Sequence, residues 1–368
     1  MQTVKREKKR SLRAILLILL IVAVILIGST YAWFIANTTT SVETINVKIE
    51  SVEGLQISVD ATTWKSSITN SDITGAGATY SNAVNQLPNK LKPCSSIGNI
   101  EDGKQVIFTQ KDEGAIYTGT DKDNGRSLQG TALLTAERGV DTHGTDGKYI
   151  TFDLFLNLQS NDTKKLYLSP NSGCTFDEES AKNDPNIRDT TKGLENATRI
   201  SFIVEGYAAT ADAATAQNWK YSETNTDCKF VLWEPNSNAH EQDAVDNGTG
   251  EAPSDVPGYN VEDFEGMTKK NPVPYSGVKA EIDANDKVYM YKAKATNFPA
   301  KLANVTPTIW TSNGEVDKKD TTITLKPGIT KIRVYMWLEG QDIDCYTGAS
   351  GTYLNFDLQF QIDTATGG

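Results

Sequence analysis

The sequence predicts an all-β protein: an antiparallel β-sandwich, jelly-roll in type, with long polar insertions, set behind an N-terminal hydrophobic segment. Three observations predict it. Runs that alternate apolar and polar residues recur from one end of the chain to the other, the period of a half-buried strand. Helix-forming composition is confined to one Ala-rich stretch beyond the N-terminal segment. The first and last alternating runs are both clean, so the core is expected to join the two ends of the domain.

The N-terminal segment comes first. Lys5, Arg6, Lys8, Lys9, Arg10 and Arg13 form a basic cluster, and residues 14–27 then carry no polar side chain. A small and aromatic run follows, Gly28-Ser29-Thr30-Tyr31-Ala32-Trp33-Phe34, and no charge returns until Glu43. Basic, apolar, then small is the layout of an export signal. At about 1.5 Å per residue the apolar run alone spans roughly 21 Å, too little for a bilayer core of about 30 Å. Extended to Ala36 it reaches roughly 34 Å, which suffices. Residues 1–36 therefore read as a signal peptide or a transmembrane anchor. The Thr30-Tyr31-Ala32 site places cleavage between Ala32 and Trp33. Either way the basic end stays cytoplasmic and residues 37–368 lie outside, at the surface or beyond it.

The strands follow in order. Residues 44–50 (TINVKIE) put Ile45, Val47 and Ile49 on one face, and residues 55–60 (LQISVD) do the same with Leu55, Ile57 and Val59. Residues 61–147 are mostly Ser, Thr, Asn and Gly, a long polar insertion broken by a short strand at 106–108. The strongest strand is 149–159 (YITFDLFLNLQ), with Ile150, Phe152, Leu154, Leu156 and Leu158 on one face. Thr151, Asp153, Phe155 and Asn157 share the other. A largely polar outward face is what an antiparallel sheet presents to water. Further strands are expected at 166–168, 198–206, 229–234, 287–291, 321–325, 329–338 and 353–362. One short helix is expected within 208–219, and a second polar insertion at 235–285, with five prolines in its first forty residues.

Composition bounds function. The chain has 368 residues, 38% of them hydrophobic and 8% aromatic, enough for one large or two medium domains. Its net charge is −11; outside the basic N-terminal cluster, 30 basic residues face 46 acidic ones. A net −16 on the exported part repels phosphate backbones and argues against nucleic acid as a partner. The four cysteines, Cys94, Cys174, Cys228 and Cys345, lack C-x-x-C spacing, so zinc and thioredoxin chemistry are unsupported. In an exported protein they can form disulfides, with three possible connectivities.

No catalytic residue, cofactor or metal ligand set emerges. His143 and His240 are the only histidines. His240-Glu241-Gln242-Asp243-Ala244 starts like a zinc-protease helix, but the second His falls on Ala244. Asp121-Lys122-Asp123-Asn124-Gly125 starts like a calcium loop, but Ala132 stands where the closing Glu belongs. There is no Gly-x-Ser-x-Gly elbow and no Walker loop. Tyr335, Trp337 and Phe155 alternate away from the core face of their strands. Such aromatics either bind sugars or are covered by an insertion, and cover is the commoner outcome.

The 28–34 run and the Thr-rich stretch after it resemble the signal region of TasA and camelysin-type matrix fibre proteins of Gram-positive bacteria. The resemblance covers about the first 50 residues. The run 335–345 (YMWLEGQDIDC) is also similar to uncharacterised clostridial surface proteins. The resemblance implies a SipW-type signal peptidase as processing partner, acting at Ala32 and Trp33. It also implies self-association, with an N-terminal donor strand completing the sheet of the next subunit. Trp33, Phe34, Ile35, Thr38, Thr39 and Thr40 are the donor residues so implied. Their composition suits an extended segment able to pair with an open sheet edge. The same stretch can instead be a stalk, with the first strand paired inside its own subunit. Protease activity is not carried over, because no residue pattern supports it. The expected function is a non-enzymatic surface or biofilm-matrix structural protein. The alternative is an adhesion module for carbohydrate or host, anchored in the membrane by residues 14–36 and binding through Trp337 or Trp233. A hydrolase ranks last.

Overall fold

The computed structural model describes residues 39–49, 54–76, 80–112, 114–118, 122–123, 126–127, 130–177, 179, 194–235, 275–290, 293–307, 319–342, 344–345 and 351–362. The expectations for the export segment and for His240 lie outside these residues, as do those for Ala32, Trp33, Phe34, Ile35 and Thr38. Among the described residues no helix is long and apolar enough to cross a membrane.

The described chain is all-β, built on two large sheets. The first runs in the order Lys319–Leu325, Lys164–Leu168, Tyr353–Ile362, Thr40–Ile49, Ser67–Thr69. Gly173–Phe176 also pairs with Tyr353–Ile362, and Lys90–Leu91 with Thr40–Ile49. The second runs Ala136–Arg138, Phe108–Gln110, Pro93–Ser95, Gly328–Glu339, Ile150–Leu158, Leu55–Ser58. Thr198–Ala208 also pairs with Gly328–Glu339, and Lys229–Trp233 pairs with Thr198–Ala208.

The alternating runs form these strands because one apolar face of each can be buried against the other sheet. Ile45, Val47, Phe356 and Leu358 of the first sheet share one cluster with Phe152, Leu154, Phe202, Ile332 and Val334 of the second. Phe202 and Phe360 meet edge to face across it, their centroids 6.2 Å apart. The two ends of the domain do meet there: Thr40–Ile49 lies beside Tyr353–Ile362, with Ile45 opposite Phe356 and Val47 opposite Leu358.

Several expectations need correction. The sheets are mixed: that end-to-end pairing is parallel, and so is the pairing of Gly328–Glu339 with Pro93–Ser95. No strand forms at 287–290, the described part of the expected 287–291. A 3-10 turn at Ala284–Asp286 precedes it, and the backbone pairing there is an isolated bridge between Tyr289 and Leu133. The expected 106–108 strand is displaced into Lys104–Gln105 and Phe108–Gln110. The insertions are more than solvated loops. Val106, Phe108, Leu134 and Ala136 from one pack with Val278, Ile282 and Val288 from the other region into a second apolar cluster. The Leu134 amide donates to the Val288 carbonyl at 2.9 Å, and Ala136 and Ile282 exchange amides at 2.9 Å. Tyr275–Val278 and Leu302–Val305 form a small hairpin-like pair that alternation alone did not reveal.

Candidate functional site

The densest chemistry lies on the outer face of the second sheet, across three adjacent strands. Asp153 and Phe155 come from Ile150–Leu158, Lys331, Arg333, Tyr335 and Trp337 from Gly328–Glu339, and Arg199 and Glu205 from Thr198–Ala208. The alternation made this face look wet. It is buried: Asp153, Phe155, Arg199, Tyr335 and Trp337 are 0% exposed, Glu205 and Lys331 1%, Arg333 4%. Trp64, Tyr80, Ala216 and Trp219 cover Phe155, while Ile107, Tyr275 and Val305 cover Tyr335 and Trp337. The aromatics are therefore covered by other segments, and Trp337 and Trp233 offer no platform to a sugar.

At the centre sits a quartet of charges. Asp153 stands directly opposite Arg333 in the sheet register, and Phe155 opposite Lys331. Arg333 grips Asp153 with both ends of its fork, Nε to Oδ1 at 2.8 Å and Nη2 to Oδ2 at 3.2 Å. Tyr80 donates its hydroxyl to Asp153 Oδ2 at 2.7 Å. Glu205 reaches the quartet through an irregularity. The register of Thr198–Ala208 shifts between Val204 and Gly206, so that Gly206 faces Lys331 and Glu205 is the extra residue. Such a bulge re-aims a side chain. Lys331 Nζ lies 2.7 Å from Glu205 Oε2 and 3.5 Å from Asp153 Oδ2. It also donates to the carbonyls of Gln217 and Trp219, both at 3.1 Å. Gln217 is the last residue of the short helix Ala213–Gln217 and Trp219 lies two residues beyond it; Asp212 caps the helix by accepting from the Thr215 amide at 2.7 Å.

Burial pulls the Asp153 carboxyl upward, but the charges of Arg333 and Lys331 outweigh it and hold Asp153 below the ordinary carboxylate range. For Glu205 burial wins over the same two cations, and its carboxyl is raised. Tyr80 is pushed well up by burial and by the Asp153 charge, so it is a permanent donor here.

Three further polar clusters meet this face. Arg199 pairs with Asp342 and, at 3.1 Å, with Glu234. Its guanidinium carbon lies 5.3 Å from the centre of the Tyr275 ring, a cation–π distance. Glu339 accepts from Trp337 Nε1 at 3.0 Å and from the amide of Gln341 at 3.1 Å, and burial pushes its carboxyl up to about 7. Asp141 accepts the hydroxyls of Tyr149 at 2.8 Å and Tyr335 at 3.2 Å. All of these groups are closed off from solvent or nearly so. They can lock strands together and react with one another, and they stand out of reach of an outside substrate.

The residues singled out from the sequence lie elsewhere. Of the donor set, Thr39 and Thr40 are described. Gly351 N donates to the Thr39 carbonyl at 2.8 Å, and Thr40 is buried in the chain's own first sheet, its hydroxyl donating to the Thr352 carbonyl at 2.6 Å. Cys94, Cys174 and Cys345 are buried, Cys228 is half-buried, and all four are free thiols. Burial raises the pKa of each, which keeps them protonated and slow to react. His143 is exposed. Among the described residues no group of three or more His, Cys, Asp and Glu could hold a metal ion. The quartet itself was missed. Its one sequence signal is that charges and large aromatics alternate on the same face of one strand, as in Lys331, Arg333, Tyr335 and Trp337.

Comparison of the chain with family models, curated proteins and solved structures finds no match.

Proposed function

We propose that this chain is an exported β-sandwich of jelly-roll type that serves as a non-enzymatic structural subunit at the surface or in the matrix of a Gram-positive cell. One observation carries the choice of a structural role: among the described residues, the richest array of ionisable groups is sealed inside the fold, where it ties three strands to their covering segments. A catalyst needs such groups where a substrate can reach them. The array here is spent on holding strands. Export rests on the layout of residues 5–34, with a signal peptidase as the processing partner. Filament assembly rests on the extended composition of the segment from Trp33. Because Thr40–Ile49 fills a place in its own sheet and the Thr39 carbonyl is held by the Gly351 amide, the donor would be Trp33–Thr38, ahead of that strand.

The test compares two purified chains, one starting at Trp33 and one at Thr40, by electron microscopy. Both keep the first strand intact. Filaments from the longer chain alone are the expected result. Filaments from both, or from neither, would overturn assembly through this segment. Protein recovered from the native host with residues 1–32 still attached would overturn cleavage at Ala32.

A further inference from the structure

We propose that Lys331 and Glu205 become joined by an intramolecular amide bond that clamps the central strand of the second sheet to its neighbour. The inference goes beyond the structural role above and stands whether or not the chain assembles. Five observations on the geometry carry it. The amine and the carboxyl are in contact, Nζ to Oε2 at 2.7 Å, and both residues are 1% exposed. The bulge between Val204 and Gly206 places Glu205 on the same face as Lys331. Two backbone carbonyls, of Gln217 and Trp219, hold the Nζ from outside the sheet. A second carboxylate, Asp153 Oδ2, lies 3.5 Å from the same nitrogen. Neither Glu205 oxygen makes a hydrogen bond of good geometry, so the carboxyl is not locked away from reaction.

The reaction balances without any outside reagent. Lys331 first gives one ammonium proton to the Glu205 carboxylate, leaving a neutral amine and a neutral acid. Burial favours this neutral pair, because two charges vanish from a dry interior. The elevated Glu205 carboxyl and the depressed Asp153 carboxyl agree with that division of roles. The Nζ lone pair then attacks Cδ of Glu205; the N–C bond forms as the carbonyl π bond opens. Asp153 Oδ2 takes the surplus proton from nitrogen and passes it to the departing hydroxyl. The C–O bond breaks and water leaves. One amine and one acid have become one amide and one water. The product leaves Arg333 and Asp153 as the only charges of the quartet, already matched by a two-point contact. Phe155, whose ring centre is 5.9 Å from Nζ, and the covering Trp219 keep out the water that would reverse the step.

The test is the intact mass of the purified full chain, denatured and reduced, followed by proteolysis. The expected mass is that of the polypeptide less one water, and the digest should yield one branched peptide carrying both Lys331 and Glu205. Lys331→Arg should restore the full mass, read on denatured protein and so independent of folding. Folded wild-type protein, shown to be folded by its circular dichroism, that keeps the full mass would overturn the proposal. So would a water loss that maps to another pair, Lys331 with Asp153 included. The wild-type peptide map decides the matter alone if the variant does not accumulate.

Discussion

The two faces of the second sheet are made by the same three strands and are equally dry, yet they are built from opposite chemistry. Inward, Phe152, Leu154, Phe202, Ile332 and Val334 are 0% exposed and meet only other apolar groups. Outward, one residue along each strand, Asp153, Lys331, Arg333 and Arg199 are at most 4% exposed and meet partners of opposite charge. The inner face tolerates approximate fit, since dispersion and water exclusion are non-directional. The outer face depends on complete pairing, because a buried charge that loses its partner keeps its full desolvation cost. The same burial therefore stabilises through volume on one side and through matching on the other.

The sharpest way to break this contrast is to remove one member of the quartet. Asp153→Ala leaves the buried Arg333 without its two-point partner, and should cost about 3–5 kcal/mol. The loss would appear as a lower denaturant midpoint at unchanged slope. Replacing both partners, Asp153→Leu with Arg333→Met, should recover most of that loss. A single variant as stable as wild type would show that the outer face is not a matched ionic interior.

A second test uses pH. The Glu339 carboxyl lies at about 7 in the fold against an ordinary 4.5. The folded state therefore holds a proton that the unfolded chain has released. Its contribution is complete below pH 4.5 and is lost as pH rises through 7, on the order of 3 kcal/mol over that window. Arg199, Glu234 and Asp342 surround the group, so the measurement needs a reference. Glu339→Gln should flatten the fall in unfolding midpoint between pH 4.5 and 7. If wild type and variant share one slope there, burial of Glu339 is not what sets it.

The covering layer can be tested by adding a single methyl. A Cβ on Gly206 would lie 2.7 Å from Trp219 Cγ, closer than such atoms approach. Gly206→Ala should displace the indole from above the quartet and cost about 1–3 kcal/mol. Red-shifted tryptophan emission should accompany it. Stability lost without that shift would mean the strand gives way and Trp219 stays.

The smallest effect belongs to the inner face. Ile332→Val removes one methyl from a site whose neighbours are all apolar, and should cost about 0.5–1.5 kcal/mol. Conservative exchanges opposite it, such as Leu154→Met, should cost less than about 1.5 kcal/mol. A conservative inner-face change that cost as much as Asp153→Ala would erase the contrast between the faces.

Much of the strand framework was legible in the sequence. Residues 353–362 alternate cleanly enough that their strand is read to the residue, and 329–338 differs from the observed Gly328–Glu339 by one residue at each end. The single short helix falls inside the Ala-rich stretch, at Ala213–Gln217. Legibility failed where strands are two to four residues long, as at Lys90–Leu91, Pro93–Ser95 and Tyr275–Val278. A period of two cannot be recognised in so few positions. It failed again at 287–290, where the contact with residues 132–134 is limited to an isolated bridge and two amide–carbonyl bonds and does not extend into a strand. Parallel pairing of the first and last strands was also invisible, since alternation carries no direction.

By itself the sequence determined which residues of each strand share a face, that the inward faces are apolar, and that the two ends of the domain belong to one core. The periodicity of a strand encodes that much locally. Only the tertiary structure decided what covers the other face. Asp153 and Arg333 are 180 residues apart, and Glu205 enters their company through a one-residue bulge. Whether a polar position is wet depends on the segment folded over it, here one carrying Tyr80 and another carrying Trp219. Burial is a property of that long-range packing, and alternation marks only the face that a residue joins.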